Sequence, residues 1–285
     1  MSLRSRFAPS PTGLLHIGNA YSALLCEAWA QQNDAELLLR IEDIDCTRCR
    51  TEFSAQMLDG LAWLGIAFDG DVVYQQKRLA LYEQALQTLI GMEVVYPCFC
   101  TRSQIDATLI DEAMHHQRLD TNMLDNYPRK CANLSHDEQQ QRMHIEPYAW
   151  RLDMSKVVAM LGDKMSWLGA DGFEHSFMLS SIGDVIVGRK DIRFSYHLCV
   201  VVDDALQGIT HVIRGMDLLT STPVHRVLQV LLDYVSPQYI HHDLIQDELG
   251  QRLAKSKQSV TLKSLRDQGH SPEELRLSLM NTSRF

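Results

Sequence analysis

Residues 6–19 read RFAPSPTGLLHIGN. Pro9 and Pro11 fix φ, while Gly13 and Gly18 allow backbone paths closed to other residues. The stretch "LRSRF" (3–7) ahead of it reads as a short strand. Behind it, Ile17, Ala20, Leu24 and Ala28 fall at helical spacing, so a helix opens near His16. A strand, a tight turn and a helix N-terminus together make a ready pocket for an anion, because the first backbone N–H groups of a helix lack internal partners. The same alternation continues outward. "ELLLRI" (36–41) reads as a buried strand, 52–64 and 79–91 as helices, and "VVYPCFC" (94–100) as a strand entering a turn. Alternating strands and helices predict an α/β chain with a parallel sheet and βαβ crossovers.

Beyond residue 98 the texture changes. Residues 98–148 are polar and rich in Gln, Asp and His, which predicts an inserted subdomain. Strand-like runs follow at 176–187, 192–202 and 209–215. A helix then starts at "TSTPVHRVLQVLLDYV", with Ser221 or Thr222 as cap and Pro223 in the first turn. "SPEE" (271–274) has the pattern of a capping box, Ser271 answering Glu274. The 285 residues are 45% hydrophobic and 22% charged, an ordinary globular profile. A net charge of −9 argues against indiscriminate nucleic-acid binding but not against a local basic groove. No apolar run is long enough for a membrane span and no apolar signal core opens the chain, so a cytoplasmic protein without a membrane partner is expected. Nothing here reads out the oligomeric state; a monomer is the expectation.

The opening block resembles the signature of the class I glutamyl-tRNA synthetase family. "LLLRIEDID" (37–45) and "VVVDDALQGITHVIRGMDLL" (200–219) resemble later blocks of that family, in the same order, and "QRLAKSK" (251–257) stands where its lysine-bearing loop belongs. About 25 residues follow that loop, too few for another domain. The resemblance is therefore to the truncated paralogues that activate glutamate and attach it to queuosine in tRNA(Asp). It implies a Rossmann-like catalytic core with an inserted zinc-bearing subdomain and no anticodon-binding domain. The expected division is 1–97 and 149–240 for the halves of the core, 98–148 for the insertion, and 241–285 for the lysine loop and a short helical end.

The resemblance also implies roles. His16 and Asn19 match the HIGH motif, here HIGN, and with Lys255 of the lysine loop they would serve the ATP phosphates; Pro9 and Gly18 would border the nucleotide, which carries Mg2+. Lys257 offers a competing alignment for Lys255. Arg6, Ala8, Ser10, Glu42, Tyr196 and Arg214 would line the L-glutamate site. Arginine grips a carboxylate as a fork, and an acid balances an ammonium. In-line displacement at phosphorus needs positioning and charge stabilisation rather than a protein nucleophile.

Cys98 and Cys100 form C-x-C, and Tyr127 and Cys131 stand as Y-x-x-x-C. Thiolates so spaced suit tetrahedral zinc, which would replace a core in a segment poor in apolar residues. The resemblance implies Cys98, Cys100, Tyr127 and Cys131 as the ligands; His115 or His116 is the alternative to Tyr127. Cys26, Cys46, Cys49 and Cys199 read as ordinary thiols. Two other readings of the chain stay open: a truncated glutamyl-tRNA synthetase that charges a tRNA 3′ end, and a non-catalytic tRNA-binding module.

Overall fold

The computed structural model describes residues 2–101, 103–105, 129–245 and 260–281. Strand β1 (Arg4–Phe7), helix α1 (Ile17–Gln32) and strand β2 (Glu36–Ile41) form the first parallel unit, with Arg4 opposite Glu36 and Phe7 opposite Leu39. Helix α2 (Thr51–Trp63) carries the chain to β3 (Val73–Tyr74), which pairs parallel with the end of β2. Helix α3 (Leu79–Gly91) leads to β4 (Val95–Cys98). After α4 (His136–Ile145) the chain returns as β5 (Ala149–Leu152), antiparallel to β4 with Cys98 opposite Ala149. The excursion 99–148 thus leaves and rejoins the sheet at adjacent points.

Helix α5 (Met154–Leu161) precedes a hairpin of β6 (Lys164–Leu168) and β7 (Glu174–Met178). Strands β8 (Ile186–Arg189) and β9 (Arg193–Phe194) complete a four-stranded antiparallel sheet in the order β4-β5-β8-β9. Helix α6 (Tyr196–Leu206) and strand β10 (His211–Gly215) follow, then α7 (Thr222–Leu231) and β11 (Gln238–His242), which runs parallel to β10. Helices α8 (Leu262–Asp267) and α9 (Pro272–Asn281) close the described chain. The backbone N–H of Thr210 donates to the Arg4 carbonyl at 2.9 Å, which sets β10 beside β1.

Two apolar clusters hold these layers. Phe7, Leu24, Leu25, Leu39, Ile41, Leu61 and Ile213 pack around the parallel strands, and Tyr82, Leu152, Phe194, Leu198 and Val202 pack under the antiparallel sheet. Each such side chain contributes about 1.5–3 kcal/mol on burial. Among the described residues no helix is long and apolar enough to cross a membrane.

The strands and helices expected before residue 98 form close to their predicted limits, and the Ser271–Glu274 box is present, with the Glu274 N–H donating to Ser271 Oγ at 3.2 Å. Three expectations need correction. The run 192–202 is a strand only at Arg193–Phe194 and a helix from Tyr196. Leu198 to Asp204 are buried all round, and an apolar run without polar alternation cannot separate a buried helix from a buried strand. The run 176–187 is not one strand, since a 3-10 turn at Leu179–Ser181 divides β7 from β8. Ser221 does stand at the N-cap of α7 with Pro223 in the first turn, as expected, although it makes no side-chain capping hydrogen bond because it ends a 3-10 turn (Met216–Ser221) in helical geometry. The parallel crossover pattern holds for β1-β2-β3 and β10-β11 only; the second sheet is antiparallel.

Candidate active site

The carboxyl ends of β1, β2 and β10 and the start of α1 surround a cavity of about 670 Å³. Ligands of open α/β sheets bind at this edge, where loops and helix N-termini turn their polar groups outward. The lining takes in Arg6, Ala8, Pro9, Ser10, His16, Gly18, Asn19, Glu42, Tyr196 and Arg214, so ten residues singled out in the sequence meet in one place.

His16 is the N-cap of α1 in extended geometry. Its Nδ1 accepts from the Asn19 N–H at 3.4 Å, and its own N–H donates to Asn19 Oδ1 at 3.2 Å. An acceptor at Nδ1 puts the proton of a neutral ring on Nε2. Burial lowers the His16 pKa and favours that neutral form. The Asn19 oxygen is occupied at the cap, which leaves its amide N–H groups as the donors. Gly18 has a local reason as well: a Cβ there would stand 3.1 Å from the His16 ring. Val260 accepts from the Ile17 N–H at 3.3 Å, and Leu262 N–H donates to Leu15, so the chain after 259 is fastened to this helix start.

Under the cavity lies a buried ionic lattice. Arg6 Nε donates to Asp204 Oδ1 at 2.9 Å. Arg40, fully buried, donates from Nη1 to the same oxygen at 2.9 Å and from Nη2 to Glu42 Oε1 at 3.2 Å. Asp203 accepts from Arg78 Nε at 2.6 Å, from Gln75 at 2.9 Å and from Tyr82 at 2.8 Å. Burial acts to raise the Asp204 pKa, but the Arg6 and Arg40 charges outweigh it and hold the carboxyl below its ordinary value. For Glu42 burial wins over Arg40 and Arg6, and its pKa is raised. Burial likewise raises the Tyr196 phenol.

Arg214 is held differently. Its Nη1 donates to His225 Nδ1 at 3.0 Å, Nη2 to Thr222 Oγ1 at 2.8 Å and Nε to His241 Nε2 at 3.3 Å. Its guanidinium also sits over the Tyr239 ring, 5.2 Å from the centroid. His225 passes the chain on to His197 Nδ1 at 3.1 Å. Burial, with the Arg214 charge second, lowers His197 and His241 to about 4 and His225 well below its ordinary value.

Away from the cavity, the sulfurs of Cys98, Cys100 and Cys131 lie within 4.8 Å of one another, and the Cys100 and Cys131 sulfurs are 3.6 Å apart. Two ligands of tetrahedral zinc at about 2.3 Å stand about 3.8 Å apart, so this donor set fits such an ion. Lys190 Nζ donates to the carbonyls of Phe99 and Cys100 at 2.8 and 3.0 Å, which brings a cation to the thiols. The exposed Cys46 and the half-buried Cys49 take no part.

Lys255, its alternative Lys257, the fourth-ligand candidates Tyr127, His115 and His116 all lie outside the described residues. Sequence reasoning missed Asp204, Arg40, Thr222, His225 and His241. Arg40 and Asp204 stand inside the blocks "LLLRIEDID" and "VVVDD". A buried arginine in a strand otherwise apolar was a usable signal, since charges are not buried unpaired. His225 and His241 gave none, because an isolated histidine does not announce its neighbour.

The family model "tRNA synthetases class I (E and Q), catalytic domain" matches residues 2–282. A glutamyl-Q tRNA(Asp) synthetase of Rhodobacter capsulatus is 39% identical over 275 residues, which are 95% of this chain and 98% of the relative. A glutamate–tRNA ligase of Coprothermobacter proteolyticus is 32% identical, over 96% of this chain and 56% of the relative. The solved glutamate tRNA ligase of Elizabethkingia meningosepticum, in complex with its amino acid, superposes with a TM-score of 0.75 at 24% identity. That likeness carries the fold alone; it covers 95% of this chain and 54% of the other, so the chain spans about half the length of that ligase. The chain belongs to the class I tRNA synthetases, a ligase family, and within them to the glutamyl-Q tRNA(Asp) synthetases.

Proposed function

We propose that this enzyme activates L-glutamate with ATP, without needing tRNA for that step, and transfers it to the queuosine base at the wobble position of tRNA(Asp). The α-carboxylate attacks the α-phosphorus, forming glutamyl-adenylate and releasing pyrophosphate. A hydroxyl of the queuosine ring then attacks the acyl carbon, and AMP leaves. The observation that carries this reading is the single cavity in which Arg6, Glu42, Tyr196 and Arg214 stand beside the HIGN helix start. Glu42 meets the substrate ammonium, and Arg214 meets the side-chain carboxylate. His16 Nε2–H and the Asn19 amide donate to phosphate oxygens as charge builds there. Lys255 neutralises the α-phosphate and leaving pyrophosphate, and Mg2+ accompanies ATP.

The three clustered cysteines, with Tyr127 as fourth ligand, would hold a structural zinc in the insertion 98–148, which separates the core halves 1–97 and 149–240; the lysine-loop segment 241–285 follows the second half. Zinc keeps that polar segment folded and takes no part in the chemistry. One zinc per chain, lost in Cys131→Ser, is the expected metal analysis. The enzyme works as a cytoplasmic monomer, checked by its mass in solution. The decisive assay is glutamate-dependent ATP–pyrophosphate exchange without tRNA, followed by labelling of tRNA(Asp) with and without queuosine. Labelling only of the queuosine-bearing tRNA is expected; equal labelling of both points instead to the 3′ end, and no exchange with or without tRNA sinks the reading.

A further inference from the structure

The three hydrogen bonds of Arg214 have a direction that chemistry fixes. Arginine has N–H donors and no acceptor. His225 Nδ1 and His241 Nε2 must therefore be bare, and the Thr222 oxygen must accept from Nη2. With Nδ1 bare, a neutral His225 carries its proton on Nε2, where it donates to His197 Nδ1 at 3.1 Å. The Thr222 hydroxyl, accepting from arginine, lies 3.1 Å from His241 Nε2, where its proton shares the one lone pair with Arg214 Nε–H. The array closes with every partner of Arg214 neutral. A second proton on His225 would set N–H against N–H at 3.0 Å.

Arg6, Arg40 and Arg78 are joined by ion pairs to Glu42, Asp203 and Asp204, three cations against three carboxylates. Among the described residues no carboxylate oxygen pairs with Arg214 within 4.0 Å. An amino-acid backbone, with one ammonium and one carboxylate, is neutral and suits the balanced lattice. Asp217 also lines the cavity but makes no ion pair with Arg214 within 4.0 Å, so what remains is a guanidinium without a paired carboxylate.

We propose that His225 and His241 are positioning residues that hold Arg214 through neutral acceptors, leaving its whole positive charge for a side-chain carboxylate and so selecting an acidic amino acid over its amide. This rests on the glutamate-activating reading above. A carboxylate in either place would grip the guanidinium more firmly but cancel its field. Glutamate and glutamine are nearly isosteric, so shape alone does not separate them; an unbalanced charge does.

The test is ATP–pyrophosphate exchange by the full chain, with glutamate or glutamine as substrate. His225→Leu and His241→Leu each remove a neutral acceptor of Arg214, and each is expected to raise the glutamate KM about tenfold with the ATP KM within about twofold. His225→Asn places an amide oxygen near the Nδ1 position and is expected to restore the glutamate KM to within about threefold. His225→Asp adds the missing carboxylate and is expected to cut the preference for glutamate over glutamine at least about tenfold. His225 is 2% exposed, so if His225→Leu does not fold, the half-buried His241→Leu carries the same KM comparison. The inference is overturned if the leucine variants leave the glutamate KM unchanged or raise both KM values together, or if His225→Asp keeps the preference. Failure of the wild-type chain to exchange at all would instead overturn the functional reading, and the inference with it.

Discussion

Two guanidinium groups face the same cavity, and the fold anchors them by opposite means. Arg6 is set in a lattice of ions: Asp204 holds it, Arg40 holds Asp204, and Glu42 and Asp203 complete the balance. Arg214 is set among His225, His241, Thr222 and the Tyr239 ring, none of them charged at neutral pH. The ionic arm is rigid because any loss leaves a buried charge without its partner. The neutral arm is weaker per contact but leaves a net charge to offer a ligand. One site thereby combines a balanced seat with an unbalanced hook.

The largest effect that would sharpen this contrast is on stability. Asp204→Ala strands Arg6 and Arg40 and should cost about 3–5 kcal/mol in urea unfolding. Arg214→Ala removes only neutral-partnered hydrogen bonds and should cost about 1–2 kcal/mol. Equal losses would break the comparison. The next effect is on substrate. Arg214→Ala should raise the glutamate KM about a hundredfold in the exchange assay, and Arg214→Lys should not restore it, since one ammonium cannot reproduce the planar fork.

A smaller effect follows acid. The unfolded chain takes up protons at its histidines near the ordinary value of about 6.5. Folded, His197 and His241 do so only at about 4. The unfolded state therefore binds more protons between these values, and stability falls as pH drops from about 6.5 to about 4. Asp204, held low by Arg6 and Arg40, keeps its charge through that window, while Glu42, raised by burial, works in the opposite sense. Melting of wild type against His197→Asn isolates the histidine share: the variant should lose less stability over the same interval, by roughly 1–3 kcal/mol. A slope unchanged in the variant would mean that His197 does not titrate as its surroundings require. The smallest effect lies far from the cavity. Ser271→Ala removes one cap of α9 and should cost about 1 kcal/mol with no change in glutamate KM.

The two arms were unequally legible before the structure. Arg6, Glu42, Tyr196 and Arg214 stand in blocks whose order is itself a signal, and the HIGN turn shows its chemistry in its prolines, glycines and histidine. The supports of Arg6 were within reach, since Arg40 and Asp204 lie in those same blocks. The supports of Arg214 were not. His225 lies on α7 and His241 on β11, and each meets Arg214 only because β10 and β11 run parallel, with Arg214 opposite His241. The helix at 196–206 escaped for another reason: Leu198 to Asp204 are all buried, so the 3.6-residue apolar period that would mark a helix is absent.

Local sequence determined what local forces can decide. The strand–turn–helix opening, the helices α2 and α3, the cap at Ser271 and the pairing of Cys98 with Cys100 follow from backbone preferences, periodicity and spacing within a few residues. Tertiary structure decided which side chains share a wall. It brought Cys131 to within 3.6 Å of Cys100 across 31 positions, Asp204 to within 2.9 Å of Arg6 across 198, and His225 to within 3.0 Å of Arg214 across 11. Such contacts depend on how strands are ordered and helices packed, and that arrangement is fixed by the burial of the whole chain rather than by any one stretch of it.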